Sequence, residues 1–441
     1  MRRLLASVVI ATLAAMTVAA QDFPSKWFFG KDFNSQDMIR VWRDSAMVKA
    51  TYYGDAVLRV LKSDGSIPHN SKVMRSRPVV GPMAPGDMLM MEFPDSDLPA
   101  GSYVEFDLTF SAEEGAPSEW IFEYLDGGKW LSGDIYRVYG SPFEKTYQVT
   151  SVFETVRLEY AAAGTMKFRM RALESAPVKS ATDAAPVIPA GMVLQNYAYM
   201  GAYAQDFGTV EPKDTLNVLY IGNSFTYFTS SPSMLKEIAW NEGHYIDMTS
   251  SLKGGAFLGD HLKFSITEDA ISKGNFDLAI LQDHSKGPVS LGLDRRSALK
   301  YLNDAVSLAD KIREHSPRCR FMVEYRSSAT PKNNFYNCGS LETYNAKTLK
   351  GTKIMAKAIG HAKISHITEA FMTVRRDRPD IAILAPDGAH PSMLGAYLKS
   401  CVNYLTIYGE GFGPEPADCG ISPDIASYLR SVAEKVVLKK R

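Results

Sequence analysis

The chain has 441 residues, and its 49 Lys plus Arg balance 49 Asp plus Glu, so it carries no net charge at neutral pH. A balanced chain without basic runs excludes nucleic acid as a partner. The length gives room for two or three domains with cores of their own.

Residues 1–20 read as a secretory signal. Arg2 and Arg3 form the positive start, Leu4 to Ala15 the apolar stretch, and Val18-Ala19-Ala20 the small residues before a cut between Ala20 and Gln21. A membrane anchor is the alternative, but the apolar stretch is too short for a hydrocarbon layer of about 30 Å. No later run is apolar enough to span a membrane. The expected mature protein is secreted or periplasmic, without membrane insertion.

Residues 21–173 read as a β-sandwich. Val104, Phe106, Leu108 and Phe110 alternate with Glu105, Asp107 and Thr109. Val156, Leu158 and Tyr160 alternate with Arg157 and Glu159, and Met166, Phe168 and Met170 with Lys167, Arg169 and Arg171. This period of two marks half-buried strands. Gly164 between the last two runs predicts a hairpin, and Asp126-Gly127-Gly128 predicts another turn. The paired runs Thr155–Tyr160 and Thr165–Arg171 resemble the closing strands of galactose-binding-like jelly rolls, which implies a jelly-roll-like, carbohydrate-binding-like domain. Trp27, Trp42, Trp120 and Trp130 lie here. They form either a platform for sugar rings or part of the core, and the absence of cluster spacing favours the core.

Residues 174–213 read as a linker and docking segment. Glu174 to Ala190 is rich in Ala, Pro, Ser and Val, and Met192 to Phe207 is aromatic. From 214 to 441 strands alternate with helices. Leu216 to Ile221 is a near-continuous apolar run, as a buried parallel strand requires. Ser231-Pro232 opens a helix, with Ser231 as N-cap, and Gly243 closes it. Strand-like runs recur at Tyr245–Ser250, Asp277–Gln282, Arg320–Tyr325 and Ile364–Thr368. Leu302, Ala305, Ala309 and Ile312 mark one helix face. The pattern predicts an α/β fold with a doubly wound parallel sheet and function at the carboxyl ends of its strands.

Two features there carry chemistry. Ser224 stands just beyond the first strand, in Gly222-Asn223-Ser224-Phe225-Thr226, and reads either as an exposed nucleophile or as an ordinary polar turn. Asp387-Gly388-Ala389-His390-Pro391 precedes the helix Met393–Ile407. There the carboxylate can hold the imidazole Nδ1–H and leave Nε2 to take a serine proton; as the bland alternative, Asp387 is a helix cap. Their joint occurrence in one α/β domain is far more specific than either alone. His244, His261, His315, His361 and His366 read as structural.

Gly222-Asn223-Ser224 with a distant Asp-x-x-His-Pro resembles the SGNH (GDSL-like) hydrolase superfamily, in the secreted bacterial branch with a GNSFT motif. The resemblance covers about residues 214–411. It implies Ser224 as nucleophile and Asp387 and His390 as its partners. It also implies an oxyanion hole from the N–H groups of Ser224 and of a glycine in Gly254-Gly255, for which Gly255 is preferred. The family's Gly-x-Asn-Asp block is missing, since the chain reads Leu281-Gln282-Asp283-His284. Gln282 is therefore the expected amide donor, with His284 as runner-up. The resemblance implies a carboxylic ester hydrolase with no cofactor and no metal, an acetylesterase acting on an acylated carbohydrate. The alternative is a glycan-binding protein with a catalytically silent hydrolase-like domain. Cys319, Cys338, Cys401 and Cys419 are even in number in an exported chain, so disulfides are expected, preferably Cys319–Cys338 and Cys401–Cys419.

Overall fold

The computed structural model describes residues 26–29, 47–49, 53–66, 71–74, 77–140, 150–180, 186, 188–194, 202–326 and 338–438. The expected signal segment with its cut, Trp42, and parts of 174–213 lie outside them.

The first half is built of strands β1 (Lys26–Phe29), β2 (Tyr53–Leu61), β3 (Ser71–Met74), β4 (Arg77–Val80), β5 (Met88–Pro94), β6 (Tyr103–Ala112), β7 (Glu119–Asp126), β8 (Lys129–Arg137), β9 (Thr150–Arg157), β10 (Thr165–Ala172), β11 (Met192–Leu194) and β12 (Ala202–Gly208). One antiparallel group centres on β6, which pairs with β9, β11 and β12. The other runs β2-β5-β10-β7-β8, and a parallel pairing of β1 with β2 joins the two. Between the groups lies a core of rings. Phe106 of β6 stacks 5.0 Å from both Phe122 of β7 and Phe168 of β10. Trp120 is wholly buried, its Nε1 donating to the Pro117 carbonyl. Trp130 lies under the Arg169 guanidinium at 4.0 Å. The side chain of Trp27 lies outside what the structure describes.

Two sequence expectations change here. The Gly127-Gly128 turn forms a β7–β8 hairpin, with both glycines at positive φ. The runs on either side of Gly164 do not form one: β9 pairs with β6, while β10 pairs with β5 and β7. The turn therefore carries the chain from one group to the other, and each run finds its hydrogen bonds elsewhere. The segment read as linker also supplies β11 and β12, and β12 sits between β6 and β1.

The second half holds strands β13 (Asp214–Gly222), β14 (His244–Leu252), β15 (Leu278–Leu281), β16 (Arg320–Glu324) and β17 (Lys363–Ser365). They form one parallel sheet in the order β14-β13-β15-β16-β17. The helices are α1 (Ser224–Tyr227), α2 (Ser231–Asn241), α3 (Leu258–His261), α4 (Ser265–Ser272), α5 (Lys286–Leu293), α6 (Leu299–His315), α7 (Leu341–Ala358), α8 (Ile367–Asp377), α9 (Met393–Tyr408) and α10 (Pro423–Val437). Alternate side chains of β13 enter opposite cores: Val218 and Tyr220 pack with α2, α8, α9 and α10, and Leu219 and Ile221 with α4, α6 and α7. The N-cap of α2 falls on Ser230 at φ 53°, one residue before the expected Ser231, whose hydroxyl instead donates to the Thr226 carbonyl. The chain leaves β13 for β14 on one side and returns to β15 on the other, so a crevice opens at the carboxyl ends of β13 and β15.

The halves are joined by buried polar contacts. Glu105 and Asp107, on the polar side of β6, reach Lys236 at 2.7 Å and the Ser233 hydroxyl at 2.5 Å, both on α2. Lys26 pairs with Glu237 at 2.6 Å, and Phe207 of β12 stacks on Trp240. All four cysteines are buried thiols and form neither expected disulfide. Cys319 packs among the residues facing α6, and Cys338 against Val289 and Tyr344 in a different cluster. Cys401 and Cys419 share one core as separate small apolar groups. Burial pushes the Cys319 and Cys401 thiols up to about 12. Among the described residues no helix is long and apolar enough to cross a membrane.

Candidate active site

The crevice begins with a glycine whose neighbours would have to shift to admit a side chain. A Cβ on Gly222 would lie 2.7 Å from Thr226 Oγ1 and 3.1 Å from Gln282 Oε1. Beyond it Asn223 caps α1, its Oδ1 accepting the Phe225 N–H at 3.1 Å while its Nδ2 donates to the Ala256 carbonyl at 3.0 Å. The cap turns the chain sharply, and Ser224 becomes the first residue of α1, half-buried at the mouth of the crevice.

Across the crevice a tight turn leads into α9. Asp387 Oδ1 accepts the N–H groups of Ala389 and His390 at 2.9 and 3.0 Å, and Gly388 takes a positive φ of 70°. Its other oxygen, Oδ2, meets His390 Nδ1 at 2.6 Å, and His390 Nε2 meets Ser224 Oγ at 2.8 Å. Phe228 lies flat on the imidazole, ring centroids 4.1 Å apart. Burial raises the Asp387 carboxyl, but the hydrogen bonds from the His390 side chain and the two backbone N–H groups outweigh it and hold it at about 2. Asp387 is not the cap of α9, because Ser392 fills that position and accepts the Gly395 N–H at 3.1 Å. A carboxylate, an imidazole and a hydroxyl joined in this order make a serine able to attack an acyl carbon.

After β14, Gly255 takes a φ of 72° in an open turn, with nothing within 4 Å of a Cβ built on it. A Cβ on Gly254 would come 2.9 Å from the Tyr227 hydroxyl. The Lys253 N–H ties this turn to the Gly222 carbonyl at 3.0 Å. Gln282 is placed differently from its expected part as amide donor. Its Oε1 accepts the Asn223 N–H at 2.9 Å and the Thr226 hydroxyl at 3.0 Å, while Nε2 donates to the Asp283 carbonyl at 2.6 Å. The backbone N–H of Asn223 can only donate, so the amide oxygen must face the nucleophile turn. Gln282 thus braces that turn from below.

Two further groups brace the crevice without a sequence signal of their own. Asp283 Oδ1 accepts the N–H groups of Leu258 and His284 at 3.0 and 2.8 Å, tying the loop after β15 to the start of α3. Burial pushes its carboxyl up to about 7. His261 is buried, and desolvation brings it down to about 3. Its Nε2–H donates to the Gly222 carbonyl at 3.1 Å, which leaves Nδ1 to accept from the Ser251 or Thr267 hydroxyl. His284 lies against Phe257 in a tilted ring contact, centroids 4.6 Å apart, and its Nδ1 accepts the Lys286 N–H at 3.2 Å. Burial and then the Arg326 charge lower its imidazole to about 4. A separate cleft of about 630 Å³ between the two halves contains none of the Ser224–His390–Asp387 chain.

No family model and no curated protein matches the chain. Among solved structures, it is similar to a DUF4886 family protein from Bacteroides uniformis at 19% identity and TM-score 0.43, over 52% of this chain and 96% of that one. It is also similar to a family two carbohydrate esterase from Cellvibrio japonicus, at 11% identity and TM-score 0.32, over 80% and 98% of the two chains. A lipase from a goat rumen metagenome matches at 14% identity and TM-score 0.33, over 45% and 99%. These likenesses are distant, and the functional reading rests on the site itself.

Proposed function

We propose that this protein is an exported serine esterase of the SGNH type that removes small acyl groups, acetyl above all, from carbohydrates. The observation that carries the reading is the unbroken chain Ser224 Oγ–His390 Nε2–His390 Nδ1–Asp387 Oδ2, at 2.8 and 2.6 Å, at the carboxyl ends of a parallel sheet. Ser224 attacks the ester carbonyl as His390 takes its proton. The N–H groups of Ser224 and Gly255 receive the oxyanion; neither N–H bonds to a described residue. His390 then protonates the leaving alcohol, and water, activated by the same imidazole, releases the acid and frees Ser224. The carbohydrate part of the reading draws on the β-rich first half, which we take to be a jelly-roll-like sandwich of the kind that accompanies glycan-active enzymes.

The test is hydrolysis of an aryl acetate, followed by acetate release from a panel of acetylated glycans. Ser224→Ala is expected to abolish both and leave the melting temperature within about 1 °C, because a half-exposed hydroxyl contributes little to stability. Near-normal turnover in that variant would sink the esterase reading. It would leave the alternative of a glycan-binding protein with a silent hydrolase-like domain.

A further inference from the structure

Arg326 lies two residues beyond the end of β16, at the same carboxyl end of the sheet as Ser224 and Asp283. Its guanidinium lies 4.3 Å over the ring of Phe225, the residue after Ser224. The residue is 8% exposed, and its Nε is buried without a hydrogen-bond partner. It makes no ion pair with any described residue. The nearby carboxylates are otherwise engaged. Glu324 is paired with Lys399 at 3.1 Å and takes the Asn403 amide at 2.8 Å, while Asp283 accepts two backbone N–H groups. Lys399 and Glu324 balance each other, so among the described residues no carboxylate is paired with the Arg326 charge. An arginine stays protonated at any physiological pH. Burying it unpaired is costly, and such a group calls for an explanation.

The position supplies one. Arg326 is close enough to the loop after β15 for its charge to act on His284, beside the crevice. We infer that Arg326 is a binding residue for a carboxylate carried by the substrate, so that the ester cleaved belongs to an acidic molecule. A guanidinium presents a planar fork of N–H donors that matches a carboxylate, and held on an aromatic face it is ready to receive one. The inference rests on the esterase reading for the identity of the site, and it adds the charge of the substrate.

The Ser224→Ala protein, unable to consume its ligand, permits a direct measurement by titration calorimetry. The ligands are acetylated glucuronic acid, its methyl ester, which has nearly the same shape without the charge, and a glucose hemisuccinate, whose carboxylate sits on the acyl chain. At least one carboxylate ligand is expected to bind ten times or more tightly than the methyl ester. Which one does so places the carboxylate on the sugar or on the acyl group. Adding Arg326→Gln should bring that ratio close to one, and Arg326→Lys, which keeps the charge without the fork, should leave it intermediate. Equal affinities for charged and neutral ligands overturn the inference without any variant. A ratio unchanged by Arg326→Gln in a folded protein does the same. Failure of the esterase reading shows up separately, as absence of acetate release by the unmodified protein from every ester tried.

Discussion

Asp387 and Asp283 are both carboxylates beside the crevice, and their surroundings drive them in opposite directions. Asp387 has three donors and is held at about 2, so in the folded protein it stays charged at every pH above that. Its contribution to stability is complete above the unfolded-chain value of about 3.9 and is lost as the pH falls toward about 2. Asp387→Asn is therefore expected to lower kcat by the same large factor across pH 5–8, about 10⁴ by comparison with a serine protease triad, with KM nearly unchanged and the melting temperature lowered, because the charge that His390 and the two backbone N–H groups stabilise is gone. A kcat profile and a melting curve check this; a loss of about 1 kcal/mol in stability with normal kcat would be the signature of a mere cap. Asp283 is the reverse case, raised to about 7 by burial. Its folded state favours the neutral acid, so stability is greatest below about 3.9 and declines as the pH rises through about 7. Asp283→Asn keeps an oxygen for the Leu258 and His284 N–H groups and removes the charge. Its melting temperature should match the unmodified protein below about pH 4, exceed it increasingly between about pH 4 and 7, and keep a constant lead above that.

At the scale of elements, the nucleophile turn is a joint between β13, β14 and β15. Gly222 permits the close approach, Asn223 caps α1 and reaches Ala256, and Gln282 accepts from both Asn223 and Thr226. Gln282→Ala would leave two buried donors without an acceptor, at about 1–3 kcal/mol for each. The variant is expected to lose stability and kcat together, because the turn that aims Ser224 loosens. Thr226→Val in the same protein should add less than its own separate effect, since the two side chains share one hydrogen bond. Chemical denaturation of the two single variants and the double variant measures that coupling. Full additivity would mean that Gln282 does not brace the turn.

At the scale of the whole molecule, the two halves meet through a face that is polar in sequence but buried in space. Glu105 is wholly buried, and its Oε1 lies 2.7 Å from the Lys236 ammonium, itself 1% exposed. Desolvation lowers the Lys236 pKa, yet the Glu105 charge more than reverses this and raises it. Breaking such a pair from one side leaves an unpaired buried charge and typically costs about 3–5 kcal/mol. Glu105→Gln should lower stability by that order, and the melting of both halves should shift together. If only the β-rich half melted earlier, the interface would not be what couples them.

The sequence by itself determined what depends on neighbours along the chain. The apolar run before Ser224, the glycine two residues ahead of it, and the short Asp-x-x-His turn are local, and local backbone geometry is enough to bring Asp387 onto His390. Strand periodicity marked the buried faces of β6 and β10 for the same reason. Tertiary structure alone decided what depends on which segments meet. Alternation in β6 reads as one face in the core and one in water, but α2 covers the polar face, so Glu105 and Asp107 became interface residues. Gly164 signals a turn whether the flanking strands pair with each other or with distant partners, because the turn satisfies only its own backbone. An even number of cysteines does not say which lie near one another, and packing put Cys319 and Cys338 into separate clusters. Gln282 carries both an amide oxygen and an amide nitrogen, and only the Asn223 N–H across the crevice determines which of them faces the nucleophile turn. Arg326 left no motif at all, because its lack of an ion-pair partner among the described residues follows from how β13, β15 and β16 line up side by side.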